Sequence, residues 1–434
     1  MKTPRKPYRP NDPGTRAQGR PERARPLRED TAPDRPGLPA RRVAARLLAA
    51  VVDTRTSADG LTDRRGGHPD FRALDPRDQG LAKAILLSAL RRRGTIEAIL
   101  GACLDRPLPG RAASLKHLLH VAAAQILFLD VPDSAAVDLA VAHASVDPRS
   151  ERFAGLTNAI LRRVAREKED LLARFDDPRL DCPPWLWERL VAAYGDEGAA
   201  AIARIHRVPA ALDLTAKSDP AEVAAELGAT VLPFGTIRLG GGEGAVSEMP
   251  GFEAGKWWVQ DAAASLPAKL FGRLEGLRAA DLCAAPGGKT AQLAAAGARV
   301  TALDISATRL RRLQENFTRL KLEAEFVNAD LGAFEPDAPF DAVLLDAPCS
   351  STGTIRRHPD VAYTKNPEEI EKLAAVQARL LARAADLVVD GGRLVFSNCS
   401  LDPSEGEDVV RAFLRERPDY ALDPVREDEV PGLA

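Results

Sequence analysis

The 434-residue chain sets 60 Lys and Arg against 62 Asp and Glu, a formal net charge of −2. It is therefore no general polyanion binder, and any nucleic-acid contact has to come from a local basic surface. Its 45% hydrophobic content suits globular domains; no stretch approaches the roughly 20 apolar residues of a membrane span, and the start lacks the apolar centre of a signal peptide.

Five cysteines without framework spacing argue against a secreted disulfide scaffold and for a reducing cytoplasm, where free thiols can do chemistry. Residues 1–38 are Pro- and Arg-rich with almost no large apolar side chains. Such a stretch cannot bury enough surface to offset its chain entropy, so it is expected to be disordered. From 39 to 170 the pattern is helical. "SLKHLLHVAAAQILFL" places Leu115, Leu118, Leu119, Ala122 and Ile126 on one face, and several such segments joined by short links predict an all-α domain. Residues 171–255 read as a small α/β connecting domain: a helix from "PPWLWERLVAAYG" with Gly195 as its stop, then short strands, a helix and the Gly240–Gly242 loop.

From 256 to 434, strand and helix patterns alternate. The strands read "AADLCA", "RVTALDI", "AEFVNAD", "AVLLDAP" and "RLVFSNC". Alternation of this kind predicts a parallel Rossmann-like sheet covered on both faces, with ligands beyond the carboxyl ends of its strands. Two capping boxes are expected, one at Asn366-Pro367 with Glu369 and one at Asp402-Pro403 with Glu405.

The chemistry-bearing residues fall at those strand ends. "DLCAAPGGKT" is a near miss for a nucleotide-triphosphate loop: Gly288-Lys289-Thr290 is in place, but Cys283 stands where the first glycine belongs. Asp304 ends the second strand, roughly 20 residues on, where a ribose diol needs an acid. Asp330 ends the third, within reach of an adenine. Ribose and adenine handling with an incomplete phosphate cradle suits S-adenosylmethionine better than ATP. A P-loop NTPase with Asp346 as its acidic strand end is the competing reading.

Cys349 and Cys399 follow the fourth and fifth strands and should share one crevice. Methylation of cytosine carbon 5 explains two thiols there. A thiolate adding at carbon 6 makes carbon 5 nucleophilic; an acid near N3, here Asp346, stabilises the adduct; a cation such as Lys289 lowers the thiol pKa. Arg356, Arg357 and His358 could grip RNA, and Arg91–Arg93 could form a phosphate patch. His117 and His120 share a helix face without further ligands, so no metal site is expected.

These motifs ("DLCAAPGGKT", "LDIS", "NAD", "LLDAPCSSTGTIRRHPD", "SNCS" and the upstream "WWVQDAAASLPAKLF") resemble those of the Sun/RsmB family of RNA cytosine-5 methyltransferases. The region 39–170 resembles a NusB-like RNA-binding domain. The likeness spans about residues 39–424. It implies a cytoplasmic, monomeric enzyme that methylates 16S rRNA with S-adenosylmethionine, suggests the cytosine at position 967, and implies no membrane or metal. It makes Cys399 the nucleophile and Cys349 the helper in product release, a ranking that spacing leaves open, since in DNA cytosine methyltransferases the Pro-Cys thiol attacks. Cofactor binding falls on Cys283, Ala284, Ala285, Pro286, Gly287, Gly288 and Lys289, and on Asp304, Asp330 and Asp346. Two departures stand out. Asn398 occupies the usual Thr position before the second cysteine, and a final antiparallel strand with a "DGFF"-like signature is not supplied, implying a truncated chain or a different sheet edge. These departures prompt a third reading, a NusB-like RNA-binding protein with an inactive methyltransferase domain.

Overall fold

The computed structural model describes residues 35–432 except 111 and 242–244. The expected Pro/Arg-rich tail therefore lies almost wholly outside the described residues, as does Gly242 of the glycine loop.

The first region is built from the helices Leu38–Thr54, Pro76–Arg91, Arg93–Cys103, Ala113–Phe128, Asp133–Val146 and Ala154–Arg166. Ala113–Phe128 is its axis. The sequence pattern gives it one apolar face, yet Val121, Ala123, Ala124 and Leu127 are buried as well. The small Ala122–Ala124 run lets the surrounding helices close in from several sides, and each fully buried leucine there contributes roughly 1.5–3 kcal/mol. The polar side chains this traps are each held by one local hydrogen bond, with His120 Nε2 and Gln125 Oε1 left unpaired. His117 bonds Asp53 at 2.9 Å, His120 the Lys116 carbonyl at 2.9 Å, and Gln125 donates to the Val121 carbonyl at 2.9 Å. Burial drives the His120 pKa down to about 4, so the ring stays neutral.

Gly195 does interrupt its helix, with φ 70 and ψ 174, but helical bonding resumes at once and the element runs Pro184–His206. β1 (Asp213–Ala216), β2 (Thr230–Val231), β3 (Ile237–Arg238) and β4 (Trp257–Val259) form an antiparallel sheet ordered β2-β3-β1-β4. This small sheet takes its fourth strand from beyond residue 256, because Trp257 is buried against Leu214 and Ile237.

The second sheet is parallel throughout. β5 (Arg278–Leu282), β6 (Arg299–Leu303), β7 (Glu325–Val327), β8 (Phe340–Asp346) and β9 (Val388–Ser397) are ordered β7-β6-β5-β8-β9. The first strand of this sheet sits at the centre and the chain reverses its direction of winding between β5 and β8, which opens a crevice at their carboxyl ends. Helices Gly288–Ala295, Ala307–Leu320, Pro367–Ala385 and Glu407–Glu416 flank it. The stripe Leu310, Leu313, Phe317 and Leu320 is buried as the pattern requires. Among the described residues β9 pairs on one side only. The segment after Glu416 adds no strand; its Tyr420 hydroxyl donates to the Ala385 carbonyl at 2.7 Å.

The two expected capping boxes fare differently. Asn366 accepts from the Glu369 amide at 2.9 Å, but Glu369 Oε2 has no partner, so only half of that box forms. At the second, Asp402 caps a short 3₁₀ turn, Pro403–Glu405, and the helix starts only at Glu407. The turn swings Glu405 away from the helix end and into the protein, where it is 0% exposed.

Candidate active site

The loop after β5 turns sharply. Cys283 adopts φ 72, a left-handed conformation that costs a non-glycine residue roughly 1–3 kcal/mol. The Ala284 amide then donates to the Leu303 carbonyl at 2.9 Å, and Gly287, at φ 103, caps the helix Gly288–Ala295. A Cβ on Gly287 would lie 2.6 Å from Leu313 Cγ. The glycine is therefore required by close packing of the Ala307–Leu320 helix, as well as by its backbone angle. Burial and the nearby Asp281 push the Cys283 thiol up to about 12, so it stays protonated.

Asp304 is buried and engaged at both oxygens, by the Ala285 amide at 3.1 Å and the Ser306 amide at 2.8 Å, with Arg309 at 3.5 Å. It braces the loop against the end of β6. Asp330 is exposed and caps a turn by accepting from the Gly332 amide at 2.8 Å.

Asp281 was missed by the sequence reading although it begins the quoted motif. It is wholly buried: Oδ2 accepts from the Thr290 hydroxyl at 2.6 Å, while Oδ1 has no partner. Burial, reinforced by Asp346 and Asp304, raises its pKa to about 7. A carboxylate oxygen buried without a partner is costly, and an ammonium group would satisfy it. S-adenosylmethionine carries such an amine. A triphosphate would instead meet Asp281, Asp304 and Asp346 at close quarters. Lys289, which a P-loop needs for phosphate, is ion-paired to Asp346 at 2.7 Å.

Across the crevice, β8 and β9 deliver the thiols. Cys349 Sγ and Cys399 Sγ are 3.3 Å apart, and the Cys399 amide donates to Cys349 Sγ at 3.3 Å. Cys399 is the exposed member of the pair. The hydrogen bond from the Cys349 thiol lowers the Cys399 pKa, assisted by Ser351 and Lys289 against burial and Asp346. The same contact raises Cys349, as does its own burial. Asp346 closes the group, accepting from the Ser397 hydroxyl at 2.9 Å.

Glu405 ties the two thiol loops together. Oε1 accepts from the Ser350 amide at 2.8 Å, Oε2 from the Ser400 hydroxyl at 2.6 Å and from the Ser350 hydroxyl. Ser350 follows Cys349 and Ser400 follows Cys399, so one buried carboxylate fixes both. Asn398 joins them: its amide donates to the Glu405 carbonyl oxygen and its Oδ1 accepts from the Ser400 amide at 2.8 Å.

The chain is similar to known proteins over most of its length. The family model described as 16S rRNA methyltransferase RsmB/F matches residues 274–434, and the NusB family model matches 38–166. A Xanthomonas campestris protein named ribosomal RNA small subunit methyltransferase B is 37% identical over 407 residues, covering 90% of each chain. The chain belongs to the RsmB/F methyltransferase family. A Cronobacter sakazakii member of the same name is 34% identical, with 83% of this chain and 87% of that one covered. The crystal structure of PH0851 shares the fold, with a TM-score of 0.68 at 23% identity over 93% of this chain and 95% of that one.

As a member of the RsmB/F family the chain is an RNA methyltransferase of the S-adenosylmethionine-dependent class I fold. The P-loop reading is overturned, and with it the reading of a binding module that is no enzyme. The residues expected to contact RNA also bond other parts of the chain. His358 Nδ1 bonds Asp59 of the helical region at 2.9 Å, and this contact raises the His358 pKa. Arg357 donates to the Ala211 carbonyl and to Asp261, both at 3.0 Å. Arg356 donates to the Val208 carbonyl at 3.3 Å and the Pro209 carbonyl at 3.2 Å. This triplet fastens regions of the protein to one another. Of Arg91–Arg93, Arg91 donates to the Arg356 carbonyl at 3.0 Å, Arg92 faces Asp181 at 3.7 Å, and Arg93 pairs with Glu97 at 3.6 Å.

Proposed function

We propose that this chain methylates carbon 5 of a cytosine in 16S rRNA through a covalent bond from Cys399 to carbon 6, with the cytosine at position 967 as the first site to map. The observation that carries the proposal is the thiol pair 3.3 Å apart beside the Lys289–Asp346 ion pair. An RNA methyltransferase acting on ribose or on an exocyclic amine has no use for two such thiols. Relatives named small subunit methyltransferases support the choice of RNA.

Asp281, Asp304 and Asp330 would hold the amine, ribose and adenine sides of S-adenosylmethionine along the segment Cys283–Lys289. When bound, the cofactor supplies an electrophilic methyl group. The Cys349 contact favours the thiolate of Cys399, and its attack at carbon 6 moves an electron pair toward carbon 5. Asp346, steadied by Lys289 and Ser397, takes the N3 and N4 edge of the base. Bond formation at Cys399 also removes the contact that kept Cys349 protonated. Cys349 can then give its thiol proton to solvent, and the resulting thiolate takes the carbon 5 proton; the carbon 5–hydrogen electron pair restores the double bond as the carbon 6–sulfur bond breaks and Cys399 leaves as thiolate. The release step is thereby timed to follow attack.

The test is transfer of labelled methyl to 16S rRNA, with bisulfite mapping of the product. Wild-type protein should yield 5-methylcytosine, and Cys349→Ala should accumulate a covalent RNA–protein species on denaturing gels. Transfer that persists in Cys399→Ala sinks the assignment.

A further inference from the structure

A cavity of about 620 Å³ lies between the helical region and the segment that follows Cys349. It is distinct from the thiol crevice, and five arginines line it: Arg91 and Arg92 from the helical region, Arg207 from the end of the Pro184–His206 helix, and Arg356 and Arg357. No carboxylate is among the described residues that line it.

Resting on the chain's action on RNA, we propose that this cavity is a phosphodiester subsite, which grips one backbone phosphate of the RNA between the helical and catalytic regions. The arginines are incompletely neutralised. Arg92 faces Asp181 at 3.7 Å, Arg207 pairs with Asp176 at 2.8 Å and Asp181 at 3.1 Å, and Arg357 with Asp261 at 3.0 Å. Arg91 and Arg356 have only backbone carbonyls as partners among the described residues: Arg91 donates to the Arg356 and Leu87 carbonyls at 3.0 and 3.4 Å, and Arg356 to those of Val208 and Pro209.

A second observation points to a missing acceptor. The Arg207 side chain is 7% exposed, yet its Nη2 has no hydrogen-bond partner, and the same is true of Nε on Arg91 and Arg92. Buried guanidinium N–H groups without acceptors are costly, and a phosphate offers several charged oxygens suited to the planar fork of arginine. Burial and the neighbouring Arg356 lower the Arg91 pKa, as expected for cations held close without a counter-ion.

The experiment measures RNA affinity by fluorescence anisotropy against salt, using a single-stranded rRNA fragment that holds the target cytosine. Arg91→Gln/Arg356→Gln should weaken binding about tenfold and flatten the log–log salt slope by about 0.7 per lost phosphate on single-stranded RNA. Arg91→Lys/Arg356→Lys should keep the slope. Ala84→Glu should reproduce the weakening at an exposed, fold-neutral rim position. S-adenosylmethionine binding serves as the fold control for each variant.

Unchanged affinity and slope in both the Gln pair and Ala84→Glu overturn the proposal. So does thermal stabilisation of wild type alone by inorganic phosphate with equal RNA affinity in all variants, since the cavity then takes a free anion. Failure of the cytosine chemistry reads differently: the wild type would bind RNA with the full slope and leave cytosine unmethylated.

Discussion

The helical region and the thiol crevice are both largely buried, and they are built on opposite principles. Around Ala113–Phe128 the interior is one apolar cluster in which His117, His120 and Gln125 each keep one hydrogen bond, and the atoms left unpaired, His120 Nε2 and Gln125 Oε1, belong to uncharged groups. The crevice buries Asp281, Thr290, Ser350 and Glu405, leaves one carboxylate oxygen unpaired, and holds Cys283 and Ser351 in left-handed conformations. The first region stores stability. The second gives some up to hold a thiol of lowered pKa beside an unpaired buried carboxylate oxygen, which is the expected trade at a site of chemistry.

Substitutions can break that comparison, and the largest effect should come from the nucleophile. Cys399→Ala should lower single-turnover methyl transfer by about 10⁴-fold or more and leave the melting temperature within a degree or two of wild type. Leu119→Ala, at 0% exposure in the helical core, should do the opposite. A loss of about 2–5 kcal/mol is expected in denaturant unfolding, with the pH profile of transfer unchanged.

Asp281 is the sharpest discriminator. Its ordinary carboxyl pKa of 3.8 rises to about 7 in the fold, so ionising it disfavours the folded state, and the penalty grows as pH rises from 3.8 to about 7. Asp281→Asn should therefore stabilise the cofactor-free protein at pH 8, by as much as ~4 kcal/mol, while weakening S-adenosylmethionine binding measured by calorimetry. Glu405→Gln should remove roughly 1–3 kcal/mol of stability, and it should also lower the transfer rate by loosening both thiol loops. A variant with the stability loss and an unaltered rate would make Glu405 purely architectural. The smallest effect is electrostatic: transfer should rise with pH as Cys399 ionises, below the range of an ordinary thiol, and Lys289→Met should move that limb to higher pH, since Lys289 helps lower Cys399.

How much of this could be read from the letters depends on the range of the interactions. The five parallel strands, the Leu310–Leu320 stripe and the Asn366 cap are local patterns, and all are present. Cys349 and Cys399 were legible because neighbouring parallel strands bring their ends together. Glu405 was not. Its position after Asp402-Pro403 imitates a capping box, whereas its partners include Ser350, 55 residues earlier. Asp281 was hidden in plain view, because a strand-end acid looks the same whether or not its second oxygen has a donor. The Arg356–His358 triplet was legible as basic residues that could grip RNA, but its contacts to Asp59, Asp261 and the 208–211 carbonyls were not, because their partners lie roughly 100–300 residues away in the chain.

The stretch from Arg356 to Tyr363 has one more implication. It begins seven residues after Cys349 and meets the helical region four times: the Arg356 carbonyl receives Arg91, His358 pairs with Asp59, Asp360 accepts from the Ala58 amide at 3.0 Å, and the Tyr363 hydroxyl donates to the Leu90 carbonyl at 3.1 Å. Two sequence families meet in this chain, yet they are not interchangeable cassettes. Anyone grafting a different RNA-binding module onto this catalyst would have to transplant a socket that matches this ribbon, because the joint between the modules continues directly from the segment that carries Cys349.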